Sequence, residues 1–295
     1  MRPGPALLAL LLLAAGRAAA AQSPRPVPVI LGFPSSVQAA GLAGAGVALP
    51  GYAGAIFANP AGIAPIRVLS LEAGFSRTPD RSTYAMAAAA TRAGDFNLGA
   101  GLRYLRLPGG APVFDNLSWA VAGVYRRGGI ALGAGGKYVS VEERDGPLTR
   151  SLTGDLALQV AFFDIAAIAV AGRNLGEARL SGDGLELPTS LVVGGSFNLL
   201  DTYSNGRLLL TLETVWAERD RRRTVVGLEG GAVFYGLGVV ARAGSGAQPG
   251  LAGGLLSNTT FGGSVVLGRA RLDYAFQHRS VIGHNVHLFG ARWTP

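Results

Sequence analysis

Apolar residues alternate with small or polar ones along most of this chain. In Asp95–Leu105, Phe96, Leu98, Ala100, Leu102 and Tyr104 fall on one face, opposite Asn97, Gly99, Gly101 and Arg103. Leu117, Trp119, Val121 and Tyr125 repeat the pattern, as do Leu191, Val193 and Phe197 opposite Ser190, Gly194, Ser196 and Asn198. Leu208, Leu210, Leu212 and Trp216 share one face, and Leu272, Tyr274 and Phe276 share another. A period of two over such lengths predicts strands with two unlike faces. About fourteen segments qualify, from Arg67–Ser76 to Asn285–Trp293, and among them are Leu117–Arg126, Asp155–Phe162, Ile165–Gly172 and Phe261–Leu267.

The second face decides what kind of sheet this is. A soluble sandwich turns that face to water and usually charges it, whereas here it is mostly glycine and alanine. Hydrophobic residues make up 49% of the chain and charged residues only 15%, against roughly 25% charged in ordinary soluble domains. A helical span needs about 20 mostly apolar residues. The best stretch, Leu156–Gly172, is interrupted by Gln159 and Asp164. The structure that crosses a bilayer with strands and leaves no backbone group unpaired is a closed barrel. The expected fold is therefore all-β: a transmembrane antiparallel β-barrel of about 14 strands.

The links between strands support an even barrel with short periplasmic turns and longer extracellular loops. Ala93-Gly94, Arg127–Gly129, Phe163-Asp164, Val233-Phe234 and Gly268 are tight. Pro108–Asn116, Glu142–Gly154, Arg173–Pro188, Ala243–Thr260 and His278–His284 are longer, and Asp80, Asp145, Asp183 and Asp220 belong to this second set. Leu199–Gly206 breaks the rule by being long where a tight turn is expected. Leu251–Leu256 is assigned to a loop, because a fifteenth strand would destroy the parity. That parity predicts both termini in the periplasm.

Composition narrows the chemistry. The net charge of +8 is almost wholly arginine, since Lys137 is the sole lysine. Its scatter does not make the clustered basic stripe of a nucleic-acid binder. Cysteine is absent, so there is no disulfide framework and no thiolate site. Arg2, the apolar run Ala6–Ala15 and the small residues Ala19-Ala20-Ala21 read as a secretory signal peptide over residues 1–21, cleaved before Gln22. Residues 22–66 follow without lipid-facing alternation, and the barrel is expected over 67–295.

Two stretches resemble a known family. The segment from Gln38 to Ala64 contains Gly44, Gly46, Val47 and Ala48, then Asn59, Pro60, Ala61, Gly62, Ile63 and Ala64. It resembles the N-terminal signature of the FadL/PorV superfamily of outer-membrane barrels. Arg271–Phe276, a loop, and His287–Trp293 look like the closing hairpin of PorV-type members. The resemblance implies a 14-stranded barrel with an N-terminal hatch built around Asn59, Pro60, Ala61 and Gly62, in the bacterial outer membrane. It also implies outer-membrane lipid around the barrel and a hydrophobic small-molecule ligand, with the C-terminal strand engaging the barrel assembly machinery.

Catalytic, metal and cofactor signals are weak, and none is assigned. Gly44-Ala45-Gly46 has no βαβ context, and Gly136-Lys137 fails the phosphate-loop pattern because Ala131 and Tyr138 replace its glycine and hydroxyl positions. His278 and His284 read as solvated loop residues, and Ser280 near His278 makes no hydrolase constellation by spacing alone. Arg103, Lys137, Glu213, Arg223, Glu229, Asp273 and Arg292 have lumen parity; a charge facing lipid at mid-bilayer would cost about 2–4 kcal/mol. They read as lumenal salt bridges or as a polar path for solute. Trp119, Trp216, Trp293, Tyr104, Tyr125 and Tyr138 read as an interfacial girdle. Two functions fit: FadL-like admission of hydrophobic or amphipathic small molecules, or a PorV-like binding or shuttle role in protein secretion or attachment. A closed barrel resists detergent until heated, so unboiled protein should migrate faster than boiled protein on a detergent gel. Recovery in the soluble fraction with heat-independent migration would contradict the barrel.

Overall fold

The alternating faces close on themselves. A computed structural model describes residues 28–108, 113–143, 148–163, 165–181, 187–202, 206–218, 222–249 and 255–295. The expected signal peptide, residues 22–27, Asp145, Asp183 and Asp220 lie outside them. The first five strands are β1 (Leu69–Arg77), β2 (Thr83–Ala93), β3 (Phe96–Arg106), β4 (Val113–Arg127) and β5 (Ile130–Glu143). Then come β6 (Leu148–Phe162), β7 (Ala166–Ser181), β8 (Ser190–Thr202), β9 (Gly206–Ala217) and β10 (Arg223–Phe234). The ring ends with β11 (Leu237–Pro249), β12 (Leu255–Leu267), β13 (Ala270–His278) and β14 (Val286–Trp293). Each strand pairs antiparallel with its sequence neighbours, and β14 pairs with β1 from Leu71↔Trp293 to Ser76↔Leu288. No edge is left to meet lipid.

Leu98, Trp119, Val121, Leu156, Leu191, Leu272 and Phe289 are exposed on the outside. Arg103, Lys137, Glu213, Glu229 and Asp273 are buried inside. That is the placement the lipid cost of a charge demands. On β3, Phe96 and Tyr104 are eight residues apart, about 26 Å along the strand. Strand tilt shortens this toward the ~25 Å apolar band of such barrels. Trp119 pairs with Tyr138, and Leu117 with Tyr104, at the same level.

Several strands run on past this level, which corrects the loop assignments. β4 starts at Val113, β6 at Leu148 and β12 at Leu255, while β7 continues to Ser181 and β11 to Pro249. Past the aromatic level the outward positions mix apolar and polar residues, as Leu148, Arg150 and Leu152 do on β6, so pairing continues where the apolar signal weakens. Leu255 and Leu256 thus belong to β12 and add no fifteenth strand. Leu199–Gly206 is not a long link either, since β8 reaches Thr202 and pairs with Gly206. β7 carries three irregularities against β6, two of them around Gly154, where Asn174 and Gly176 take positive φ.

The barrel-side ends of β1 and β14 lie on the rim of the short turns, such as Gly94-Asp95 and Tyr235-Gly236. At that rim Asn97 Nδ2 donates to Ile66 O at 2.7 Å, fixing the chain as it leaves the lumen. Deleting residues 285–295 exposes the ladder edges of β1 and β13, and the truncated chain is expected to lose stable membrane insertion. Membrane fractionation with the heat-shift gel checks this; normal insertion would contradict the closure.

Candidate functional site

The space inside the ring is occupied by residues 28–66. This inner segment has one short helix, α1 (Val37–Ala40), and three 3-10 turns, Val29–Gly32, Ala53–Phe57 and Pro60–Ile63. Ile30, Ala39, Ala40, Leu42, Ala53, Ala55, Asn59, Ala61 and Ile63 are fully buried. Helices this short are not stable alone. What holds them is the wall.

The wall meets them main chain to main chain. A Cβ added at Gly133 on β5 would come within 2.5 Å of Ala61 N and 2.8 Å of the Pro60 carbonyl carbon. One at Gly244 on β11 would come within 2.5 Å of Ala43 N, and one at Gly194 on β8 within 2.4 Å of a Val47 methyl. Gly99 and Gly101 on β3 abut Ile56, Ile63 and Phe57, and Gly290 on β14 abuts Val37. The glycine face seen in the sequence is thus the seat of the inner segment.

Asn59 makes the tightest local structure. Its Oδ1 accepts from Ala61 N at 2.8 Å, capping the turn that Pro60 begins. Pro60 lacks an N–H, and the first position of a turn needs none. Asn59 Nδ2 donates to Val47 O at 2.6 Å and to Gln159 Oε1 at 2.9 Å. One amide therefore joins two parts of the inner segment to β6. Gly62 packs on the preceding turn, where a Cβ would lie 2.8 Å from Ala55 Cβ.

Wall side chains complete the hydrogen bonding of this irregular backbone, as buried N–H and C=O groups require. Glu213 Oε2 accepts from Gly46 N at 2.9 Å and Val47 N at 2.8 Å. Glu72 Oε2 accepts from Gly54 N at 3.0 Å. Thr260 Oγ1 accepts from Ala43 N and donates to Gly41 O. Ser196 Oγ donates to Ala48 O at 3.0 Å, and Arg173 Nε donates to Ala58 O at 2.6 Å. Tyr52 OH lies between Ser35 Oγ and Gly46 O; burial pushes its ionisation well above the ordinary phenol range, with the Ser35 bond pulling the other way.

The seven charged positions picked from the sequence fall into three groups. Glu229 accepts from Gln38 Nε2 at 3.0 Å and Arg242 Nε at 2.7 Å. Asp273 joins Arg242 at 3.4 Å and Arg271 at 2.9 Å. Arg292 reaches Gln38 Oε1 at 3.1 Å and Glu72 Oε1 at 3.6 Å, over the Tyr52 ring. This first group spans the β14–β1 closure. Lys137 makes a separate cluster with Asp155 Oδ2 at 2.8 Å and Asn174 Oδ1 at 3.0 Å, beside the β7 irregularity. Arg103, Glu213 and Arg223 line a third place with Arg173, around a cavity of about 60 Å³ between inner segment and wall. Glu72, Asp155, Arg173 and Arg242 were not singled out from the sequence, although Glu72 has lumen parity between Leu71 and Ala73.

The rim histidines are not gathered. His284 Nε2 lies 3.8 Å from Asp80 Oδ2, and His287 Nδ1 bonds Tyr274 OH on the outer face. Ser280 Oγ is buried without a hydrogen bond, so it is not joined to His278. Burial would raise the Asp80 carboxyl, but hydrogen bonds from Thr78 and Ser82, with His284 nearby, hold it below the usual carboxylate range.

No family model matches this sequence, and no curated protein does. Among solved structures, the chain is similar to the CymD monoaromatic hydrocarbon channel, at 13% identity over 90% of this chain and 98% of that one, with a TM-score of 0.62. It is similar to the toluene transporter TbuX of Ralstonia pickettii, at 13% identity over 90% and 99%, also with a TM-score of 0.62. The toluene transporter TodX of Pseudomonas putida matches at 12% identity over 88% and 96%, with a TM-score of 0.57. These likenesses show the fold alone, a closed antiparallel β-barrel.

The seating on glycines sets a test. Gly133→Val places a side chain where the Pro60-Ala61 backbone lies and should lower the unfolding temperature sharply. Gly136→Val adds a Cβ that meets only a Val121 methyl at 3.7 Å and should change it little. Asn59→Ala should fall between, since it strands buried groups at about 1–3 kcal/mol. Heat-shift gels over a temperature series read all three.

Proposed function

We propose that this protein is an outer-membrane transport barrel that admits hydrophobic or amphipathic small molecules, with residues 28–66 as its gate. The observation that carries the reading is a lumen occupied by an apolar segment held to the wall by separate polar clasps. A fourteen-strand ring is wide, since diameter grows with strand number. Left empty, it would conduct water and ions as a porin does. Filled by Val37, Leu42, Val47, Ile56 and Ile63, it excludes them and offers apolar surface to an apolar solute when the segment shifts. The fold shared with proteins described as a monoaromatic hydrocarbon channel and as toluene transporters supports the same class of solute.

In this reading the short-turn rim and both termini face the periplasm, with outer-membrane lipid around the apolar band. The C-terminal strand, whose pairing closes the ring, is the element the barrel assembly machinery would engage. The sequence of the closing hairpin is all that speaks for a PorV-like role. The intact protein should conduct ions poorly in a planar bilayer, whereas deletion of Val37–Ala64 should leave the barrel inserted and open a large channel. Toluene uptake by cells carrying the intact protein should exceed that of cells without it. Large, equal conductance with and without the segment would make the protein a simple porin and end the gated reading.

A further inference from the structure

The rim of short turns is unevenly charged. Where the β2–β3 and β4–β5 hairpins stand side by side, Arg92, Asp95, Tyr125, Arg126 and Arg127 line one open cleft. Across the rim, the β6–β7 and β10–β11 turns instead present Phe163 and Tyr235, both almost wholly exposed. The three arginines of the cleft are exposed. Arg92 Nε donates to Gly94 O at 2.8 Å, Arg126 Nε to Gly128 O at 3.1 Å and Arg126 Nη1 to Ala64 O at 3.4 Å. These partners are neutral carbonyls that hold the guanidiniums at the turns. Among the described residues no carboxylate forms an ion pair with any of the three. Asp95 is the acid on the cleft, so three positive charges face one negative.

The outer wall continues the cleft toward the membrane interior. Phe96 and Tyr125 are cross-strand partners on the outer face, with ring centroids 5.5 Å apart, and Tyr125 pairs on its other side with Leu132. Arg127 stands two residues past Tyr125 on that same face. Aromatic residues of this kind mark the membrane–water interface, so the arginines lie at headgroup level. Beyond Leu132 the outward positions of β5 are Ala134 and Gly136, low between exposed Val121 on β4 and exposed Leu156 on β6. A Cβ at Gly136 would meet only a Val121 methyl at 3.7 Å. A shallow apolar furrow therefore descends from the cleft to the level of Trp119 and Tyr138.

We propose that the cleft is a headgroup site for an anionic phospholipid such as phosphatidylglycerol. Arg92, Arg126 and Arg127 hold the phosphate, and an acyl chain lies in the furrow on β5. The planar guanidinium fork matches phosphate oxygens two at a time. The ammonium of a zwitterionic headgroup would add a fourth cation to the three, which favours the anionic lipid. A free phosphate would use the cleft and leave the furrow empty. The inference rests on the membrane barrel of the reading above, but neither solute nor gating enters it.

The test uses the full chain, folded and freed of lipid in a nonionic detergent. Phosphatidylglycerol, phosphatidylcholine and phosphatidylethanolamine with the same tails are offered at equal concentrations, and native mass spectrometry reads the lipid-bound fraction. Phosphatidylglycerol should exceed either zwitterionic lipid by at least about fivefold, the factor one basic residue is worth at an anionic surface. Arg92→Gln with Arg127→Gln should bring it down to their level, while the heat-shift gel shows the barrel still closed. Arg127→Gln alone should give part of that loss, and it decides the matter if the double variant does not fold. Arg77→Gln with Arg81→Gln removes the same charge from exposed positions at the opposite rim and should leave the preference unchanged. Glycerol phosphate in large excess should not displace the lipid. Equal retention of the three lipids would overturn the proposal, because charge then selects nothing. Equal loss in both double variants would make the attraction diffuse, and displacement by glycerol phosphate would make this a site for free phosphate; either overturns it as well. Conductance and toluene uptake are not read, so these outcomes leave the transport reading standing.

Discussion

The contact on which the rest depends is between main chains. At Gly133 and Gly244 the backbone of the inner segment lies where a wall side chain would otherwise stand. Close approach of this kind leaves no room for water and little for adjustment. It also explains why one face of many strands is so small while the other is large and apolar. Lipid demands bulk outside, and the inner segment demands its absence inside. The strict two-residue period of the wall satisfies both demands at once.

Such intimacy raises an accounting problem that the charged residues solve. An irregular segment cannot bond its own N–H and C=O groups as a helix or sheet does, and water is excluded from much of the space. Glu72, Glu213, Thr260, Ser196 and Arg173 stand in for the missing partners. The charges among them have partners, Glu72 with Arg292 and Glu213 with Arg173, and beside them runs the Glu229–Arg242–Asp273–Arg271 chain. Breaking one member of that chain leaves the others buried and unpaired, so its members act together.

The strands were legible because lipid writes a strong signal. Phe289, Ala291 and Trp293 point outward and Leu288 inward, in the register read from the sequence. Where lipid ends, the signal ends too. The outer halves of β6, β7 and β11 read as loops because polar residues such as Arg150 break the apolar row while pairing persists. The same boundary error hid parts of the lumenal network. Asp155 and Arg242 sat at the tips of the expected strands and Arg173 just beyond one. Asn59 stood out through its neighbours Pro60 and Gly62, but its partners Val47 and Gln159 are joined to it only by the three-dimensional path of the chain. The meeting of Arg103, Arg173 and Arg223 around the small cavity was likewise invisible, since they come from three separate strands.

The bonds to the inner segment span unusual distances along the chain. Ala43 is bound to Thr260 across 217 positions, and Gln38 to Arg292 across 254. Contacts this remote carry a large loop-closure cost and form slowly. The residues made first by the ribosome therefore acquire their partners only after the strands made last are in place. β14 meets β1 around the inner segment, so ring closure brings that segment its last partners. The interior is assembled by enclosure, and nothing of its final size need ever pass through the mouth.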